Sequence, residues 1–521
     1  MVFTRLGLFS TLPTFALLVC YAGDFRGQTG PRKVSGKITE SATWSGQILV
    51  TGDVIIPEPL TLTLRAGTNV AFAPGTGIVV EGQLLALGSD KEPICLGANR
   101  EEKSWTGISV HARATEKDSE RPRGSRLINC RLTGAVNGIT LLGDAREPHH
   151  IRQCAISSCE ATGVRLLGVR DATVERCQIT KCGHPAQGKT PVDQAGAVWV
   201  EGSDCCVIRE NTIKDCRRYG IVFLESGANT AQANTIESIS GKPRSTEGYG
   251  ISLTNESSCN LILGNRVNGV NYLGFGVANS ADNLLLDNEV RNSPDGMAIA
   301  GPKSTGNIVR NNRIHGCYWS QLYLTSQCRD NRIENTDIFG GDGAITSWAA
   351  GPNTFEGCDF RGTGPIALLG TSNVVLRRCS ISTKGPEDLW TEFQPTCSVI
   401  DCNFDRKRIG FSKGTTKDSQ IMWKHTLTVH VTDARTGKPV RGASVSAASE
   451  RHADKPSTQT TSSIGLARLE VTEGILKKGG VFTDITPHQI VVMADGYRRE
   501  TVSGFIVRSA TKQEIKLMRL K

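Results

Sequence analysis

The chain has 521 residues, 38% of them hydrophobic and 21% charged, with 60 basic against 51 acidic residues for a formal charge of +9. That length predicts more than one domain, and the positive surplus is spread along the chain, without the basic stripe and binding fold of a nucleic-acid partner. No phosphate-binding loop, nucleotide site or haem motif stands out, so no cofactor is expected.

Residues 1–22 read as an export signal. Arg5 supplies a basic start, Leu6 to Val19 is mostly apolar, and Cys20-Tyr21-Ala22 places small residues for cleavage after Ala22. Lipid attachment at Cys20 is the alternative. The expected location is secreted, periplasmic or at the cell surface. No apolar stretch of about 18 residues follows, so no transmembrane segment is expected. Residues 23–43 form a linker or cap.

From residue 44 short β-like runs appear, such as Gly46-Gln47-Ile48-Leu49-Val50 and Gly77-Ile78-Val79-Val80, with Gly67, Gly75, Gly82 and Gly88 as turns. A rung motif then recurs about every 23 residues: Cys130, Cys154, Cys177, Asn211, Asn234, Asn265, Asn288, Asn312, Asn331, Cys358, Cys379 and Cys402, each followed two residues later by an aliphatic residue or Phe. A period in this range means stacked repeats that bury their faces only against neighbours. Strands of three to five residues, with no sustained helical period, make each repeat a coil of a parallel β-helix. A column of Asn can hydrogen-bond along the stack and tolerate left-handed backbone. Where Cys replaces it, a buried apolar position is implied. A second column, Cys159, Cys182, Cys216, Ile239, Val270 and Cys317, exchanges Cys with Ile and Val and so faces the core. The 17 cysteines are therefore read mainly as packing thiols, with stacked disulfides or a metal or redox site as the other readings.

The run "GDVIIPEPLTLTLRAGTNVAF", then "IVVEGQLLALGSDKEPICL" and "WTGISV", resembles the opening of secreted right-handed parallel β-helix proteins of the pectin-lyase-like superfamily. "GNRVNGV" and "RNNRIHGC" resemble the repeats of NosD-like proteins. The resemblance covers roughly residues 44–410 and implies a fold. It does not imply one chemistry, since the superfamily includes lyases, hydrolases, esterases, epimerases and proteins without known activity. The paired-aspartate motif of polygalacturonases is not found.

Residues 411–424 read as a polar linker. From 425 to 521, short alternating strands with Gly and Pro turns predict a small antiparallel β-sandwich. There "VTDARTGKPVRGASVSA", "GLARLEV" and "VVMADGYRRETV" resemble the carboxypeptidase-regulatory-like or transthyretin-like domain, which implies an accessory module. The predicted fold class is thus all-β, a right-handed parallel β-helix solenoid followed by a small antiparallel β-sandwich.

The residue before the opening glycine of each strand, with Ser320 at the glycine position after Trp319, gives a column of Thr162, Ala195, Tyr219, Tyr249, Phe275, Asp295, Trp319, Asp342 and Thr363. Insertions at 183–194 and 241–247 fall beside this column, as cleft loops do. Asp295 and Asp342 are two coils apart, roughly 9.6 Å along the stack. That is within side-chain reach of the roughly 6.5 to 9.5 Å spacing of inverting glycosidases. Asp295 and Asp342 are the candidate acid and base, with His315 assisting; Tyr219, Tyr249, Phe275, Tyr318 and Trp319 are candidate sugar platforms. Both carboxylates are also readable as turn residues, and the aromatics as caps on the core. His184, His315 and His149-His150 lack zinc spacing, and no acidic run suits calcium, so no metal is expected. Two functions remain open. One is an enzyme that hydrolyses or eliminates a polysaccharide, with Lys303, Arg310, Arg313 or His315 supplying a lyase base. The other is a non-catalytic surface or binding protein. The expected partner is a polysaccharide or cell-wall polymer, with the charge surplus suiting an acidic one.

Overall fold

Short strands, mostly of three to six residues, build most of this molecule. The computed structural model describes residues 30–99, 104–112, 123–145, 147–184, 194–241, 247–452 and 455–520. The expected signal segment, Cys20 included, and residues 185–193 and 242–246 of the two insertions lie outside them. Among the described residues the one helical element is a single turn, Arg406–Arg408, and no helix is long and apolar enough to cross a membrane.

Each coil carries three strands, as in Thr173–Glu175, Gln178–Thr180 and Gly196–Glu201. Each strand pairs in parallel with its counterpart one coil on: Val174 with Ile208, Ile179 with Ile213 and Val198 with Ile221. Three ladders therefore run along the solenoid. The alternation of strand side chains points one residue of each triplet inward. Ile156, Ile179, Ile213, Ile236, Val267, Val290, Ile314 and Ile338 form one such interior stack, all buried. Each contributes on the order of 2 kcal/mol.

The corner between the first and second strands is made by one left-handed residue. Gln153, Arg176, Glu210, Ala233, Asp287 and Asn311 have φ between 53° and 56°. The left-handed backbone thus falls one residue before the Asn rung. The Asn itself is buried and caps the corner. Asn265 donates through its backbone N and Nδ2 to Oδ1 of Asn288 at 2.9 and 3.0 Å. Asn288 donates through Nδ2 to Ile262 O at 2.8 Å and to Asn312 Oδ1 at 3.0 Å.

One rung differs from the sequence reading. Arg313 pairs with Asp337 and Asp337 with Asp359, so Thr336 stands between Asn312 and Cys358. Asn331 belongs to a second ladder, Asn229, Asn260, Asn283, Asn307, Asn331 and Asn353, at the start of the first strand. Two ladders of the same residue, five positions apart, share one motif, and the sequence period moved from one to the other. A serine ladder, Ser203, Ser226, Ser257, Ser280 and Ser304, joins further coils by side-chain acceptance of backbone N–H groups.

All 16 cysteines of the described residues are free. Twelve are buried, Cys95 and Cys402 are half-buried, and Cys205 and Cys259 are exposed. The second column faces the core: Cys159, Cys182, Cys216, Ile239, Val270 and Cys317 are 0–2% exposed.

The strand Gln420–Asp433 crosses the expected end of the linker. Its first five residues pair with Thr396–Ile400 of the solenoid. On its other side the strand pairs antiparallel with Leu466–Lys477 from Gln420 to His430, and from Leu427 to Asp433 it also pairs parallel with Thr511–Leu517. A four-stranded sheet, ordered Ser457–Thr460, Ser444–Ser449, His488–Met493, Glu500–Phe505, is antiparallel throughout. Leu427, Val429 and Val431 share one core with Val445, Ile490 and Val492. Trp423 and Leu476 join the solenoid core instead, with Phe404, Phe411 and Phe482 packed against it. The C-terminal module thus pairs with the last strand of the first ladder and packs Trp423 and Leu476 onto the core at that end of the solenoid, instead of leaving that strand's edge to water.

Candidate functional site

The register of the third ladder decides which candidate residues meet. Tyr219 pairs with Tyr249, Tyr249 with Leu273, Leu273 with Asp295, and Asp295 with Ser320. Phe275 is not in this column. It is 0% exposed and stacks in the core between Ile251 and Met297, so it offers no face to a ligand. Its strand has two glycines, and the opening one is Gly274. A Cβ there would lie 2.2 Å from Val290 Cγ2 and 2.5 Å from Gly296 O. Trp319 and Asp342 stand one residue before the column, in the preceding turn, where the Trp319 N–H donates to Pro294 O at 2.9 Å.

The aromatics form a continuous run. Tyr219 and Tyr249 stack at 5.1 Å and 17°. Trp199 meets the edge of Tyr219 at 5.8 Å, and Tyr272 meets Tyr249 at 5.2 Å. Mutual stacking occupies one face of each central tyrosine. Tyr318 and Trp319, 57% and 66% exposed, keep theirs open. Trp199 and Tyr272 were not legible as site residues, because nothing in their local sequence separates them from core aromatics.

Asp295 is half-buried beside Tyr272, whose carbonyl accepts the Asp295 backbone N–H at 3.0 Å. Burial pushes its carboxyl up to about 6, partly opposed by the Ser320 N–H that donates to Oδ1 at 3.1 Å. Burial and the Asp295 charge together raise the Tyr272 phenol. Asp342 is exposed and pairs with Lys384 Nζ at 2.9 Å. His315 lies across the turn, on the outer face of the second ladder. Its Nε2 is 3.1 Å from Glu289 Oε1 and its ring stacks on Phe339 at 4.6 Å. The hydrogen bond from His315 holds the Glu289 carboxyl below its usual range. Asp295 is thus the candidate acid placed among aromatics, while Asp342 and His315 are engaged elsewhere.

The same edge carries a cleft of about 780 Å³, lined by Lys181, His184, Asp215, Ser238, Ser240 and Asn271 among others. Asn271 adjoins Tyr272, so the cleft and the aromatic run are neighbours. His184 Nε2 is 3.1 Å from Asp215 O. The hydroxyl, amide and ammonium groups make this a polar wall suited to a polyhydroxylated ligand. Among the described residues no group of three or more His, Cys, Asp or Glu side chains could hold a metal ion.

These coils define a parallel β-helix solenoid with an aromatic edge. The sequence matches the family model described as "right handed beta helix region" over residues 107–307 and 303–422. The chain belongs to that family. A search of the curated proteins finds no significant match. Among solved structures, it is similar to a periplasmic alginate epimerase at 12% identity, covering 71% of this chain and 77% of that one with a TM-score of 0.35. It is similar to the tailspike protein of E. coli bacteriophage HK620 bound to a pentasaccharide, at 10% identity, 87% of each chain and a TM-score of 0.34. It is also similar to a mannuronic acid specific polysaccharide lyase from human gut microbiota, at 11% identity, 63% and 80% coverage and a TM-score of 0.36. Likeness at this level bears on neither substrate nor reaction.

Proposed function

We propose that this is an exported protein that binds a polysaccharide along the edge between the second and third ladders, with Asp295 as its proton-transfer group. The observation that carries the reading is the half-buried Asp295, raised to about 6, one coil before the turn that presents the open faces of Tyr318 and Trp319. Aromatic faces stack on the apolar faces of sugar rings, and an acid that holds its proton near neutrality is matched to protonating a leaving oxygen. In the hydrolytic form Asp342, two coils on, activates the water. In the eliminating form His315 takes the base role after leaving Glu289. Export rests on residues 1–22, and the C-terminal strands are read as an accessory sandwich that closes and spaces the solenoid.

A polysaccharide panel tests the reading. New reducing ends without an unsaturated product indicate hydrolysis; an unsaturated product indicates elimination. Asp295→Asn should abolish turnover and keep binding, and Trp319→Ala should weaken binding at least tenfold. Binding without products in both the parent protein and Asp295→Asn leaves the non-catalytic reading, a surface protein that displays this edge as a glycan receptor. No binding to any member of the panel ends both.

A further inference from the structure

The end of the C-terminal module farthest from the solenoid combines two features that the glycan reading does not use. Strand Gln420–Asp433 leaves the solenoid at Lys424 and reaches Asp433 nine residues on, roughly 30 Å away. The pairing of Leu517 with Asp433, of Leu466 with His430 and of Met493 with Ser444 brings four segments to that end: 434–442, 462–465, 494–499 and 518–520. On or beside them are large apolar side chains left in water: Ile464 at 60% exposure, Met493 at 48%, Met518 at 65% and Leu520 at 63%. Around these stand Arg435, Lys438, Arg441, Arg498 and Arg499, all exposed. None of these five makes an ion pair among the described residues. Of the carboxylates at this end, Asp433 is buried and held by Arg519 at 2.7 Å and by the Tyr497 hydroxyl at 3.0 Å. Asp495 is the exposed one.

We propose that this tip docks onto an anionic phospholipid surface. Unpaired cations around protruding apolar side chains match lipid chemistry on both counts. The guanidinium and ammonium groups meet headgroup phosphates, and the apolar side chains enter the acyl boundary. A soluble polyanion would use the first feature and leave the second in water. The docking would hold the solenoid away from the membrane, with its aromatic edge free. It stands apart from the glycan reading, because no residue of that edge takes part.

The test is co-sedimentation of the full chain with vesicles of equimolar phosphatidylglycerol and phosphatidylcholine, and with phosphatidylcholine alone. The protein should partition onto the mixed vesicles and not onto the neutral ones. The pair Arg498→Glu/Arg499→Glu and the pair Met518→Ser/Leu520→Ser should each reduce partition at least tenfold. Because these side chains are exposed, the unfolding midpoint should not move, which separates lost docking from misfolding. Absence of partition by the parent protein would overturn the proposal. So would partition that responds to the arginine pair but not to the Met518 and Leu520 pair, accompanied by equal binding of dextran sulfate, since that pattern describes a polyanion site. A dimer lost on Met518→Ser/Leu520→Ser, without vesicle partition, would assign the surface to self-association instead.

Discussion

The backbone N–H of Ser320 donates to Oδ1 of Asp295 at 3.1 Å across adjacent coils of the third ladder. That bond favours the charged carboxylate, yet burial outweighs it and the group titrates at about 6 instead of 3.8. The native state therefore binds this proton more tightly than the unfolded chain. The stability it contributes is full below about pH 4 and is lost as the pH rises through about 6. Asp295→Asn removes the ionisation and keeps an acceptor for the Ser320 N–H. It should raise stability above about pH 7 by about 1–2 kcal/mol, discounted because the carboxyl is only half-buried, and change little near pH 4. Unfolding midpoints at the two pH values check this; equal effects at both would refute the buried acid.

The Asn265–Asn288–Asn312 ladder makes a second expectation. Asn288→Leu leaves the backbone N and Nδ2 of Asn265, the carbonyl of Ile262 and Oδ1 of Asn312 each short of a partner. Several buried groups unsatisfied at once should cost at least ~3 kcal/mol. Denaturant unfolding monitors it. Lys413→Ala, an exposed change, is the control and should stay within about 0.5 kcal/mol.

Thiol reactivity reports the stacking of cysteines. In the native protein a water-soluble thiol reagent should reach Cys205 and Cys259, which are exposed, and be slow at Cys95 and Cys402. Burial pushes the Cys206 and Cys317 thiols up to about 12, so they present almost no thiolate at neutral pH. Denaturation should release the remaining twelve buried thiols together. Prompt native labelling of Cys177 or Cys182 would contradict the packed core.

Glu473 secures the C-terminal module to the solenoid. It is 5% exposed, lies 2.9 Å from His425 Nε2, and pairs with Arg406 at 3.2 Å and Arg508 at 3.5 Å. Glu473→Gln removes the charge that gathers these three groups. It should destabilise the protein by about 3 kcal/mol and open the 402–420 region to limited proteolysis. Unchanged cleavage and an unchanged unfolding midpoint would show that the packing of Trp423 and Leu476 holds the module without it.

The repeat was legible because every coil meets nearly the same neighbours. The inward Ile179 and Ile213, the corner Asn288 and the core Cys182 each recur where the same local environment recurs. Patterning alone therefore determined the all-β solenoid and the presence of antiparallel strands after it. Register was legible only where one alternative existed. Asn331 competed with Thr336, and Gly276 with Gly274. A short shift in register moves a residue to another column or another face, so Phe275 passed from an expected sugar platform to the core. The site depended on contacts that no local pattern carries. His315 meets Glu289 26 residues away, and Lys384 meets Asp342 42 residues away. Sequence alone thus determined which residue types stack. The tertiary structure decided which of them stay free to act, because burial and long-range pairing set Asp295 apart from Asp342 and His315.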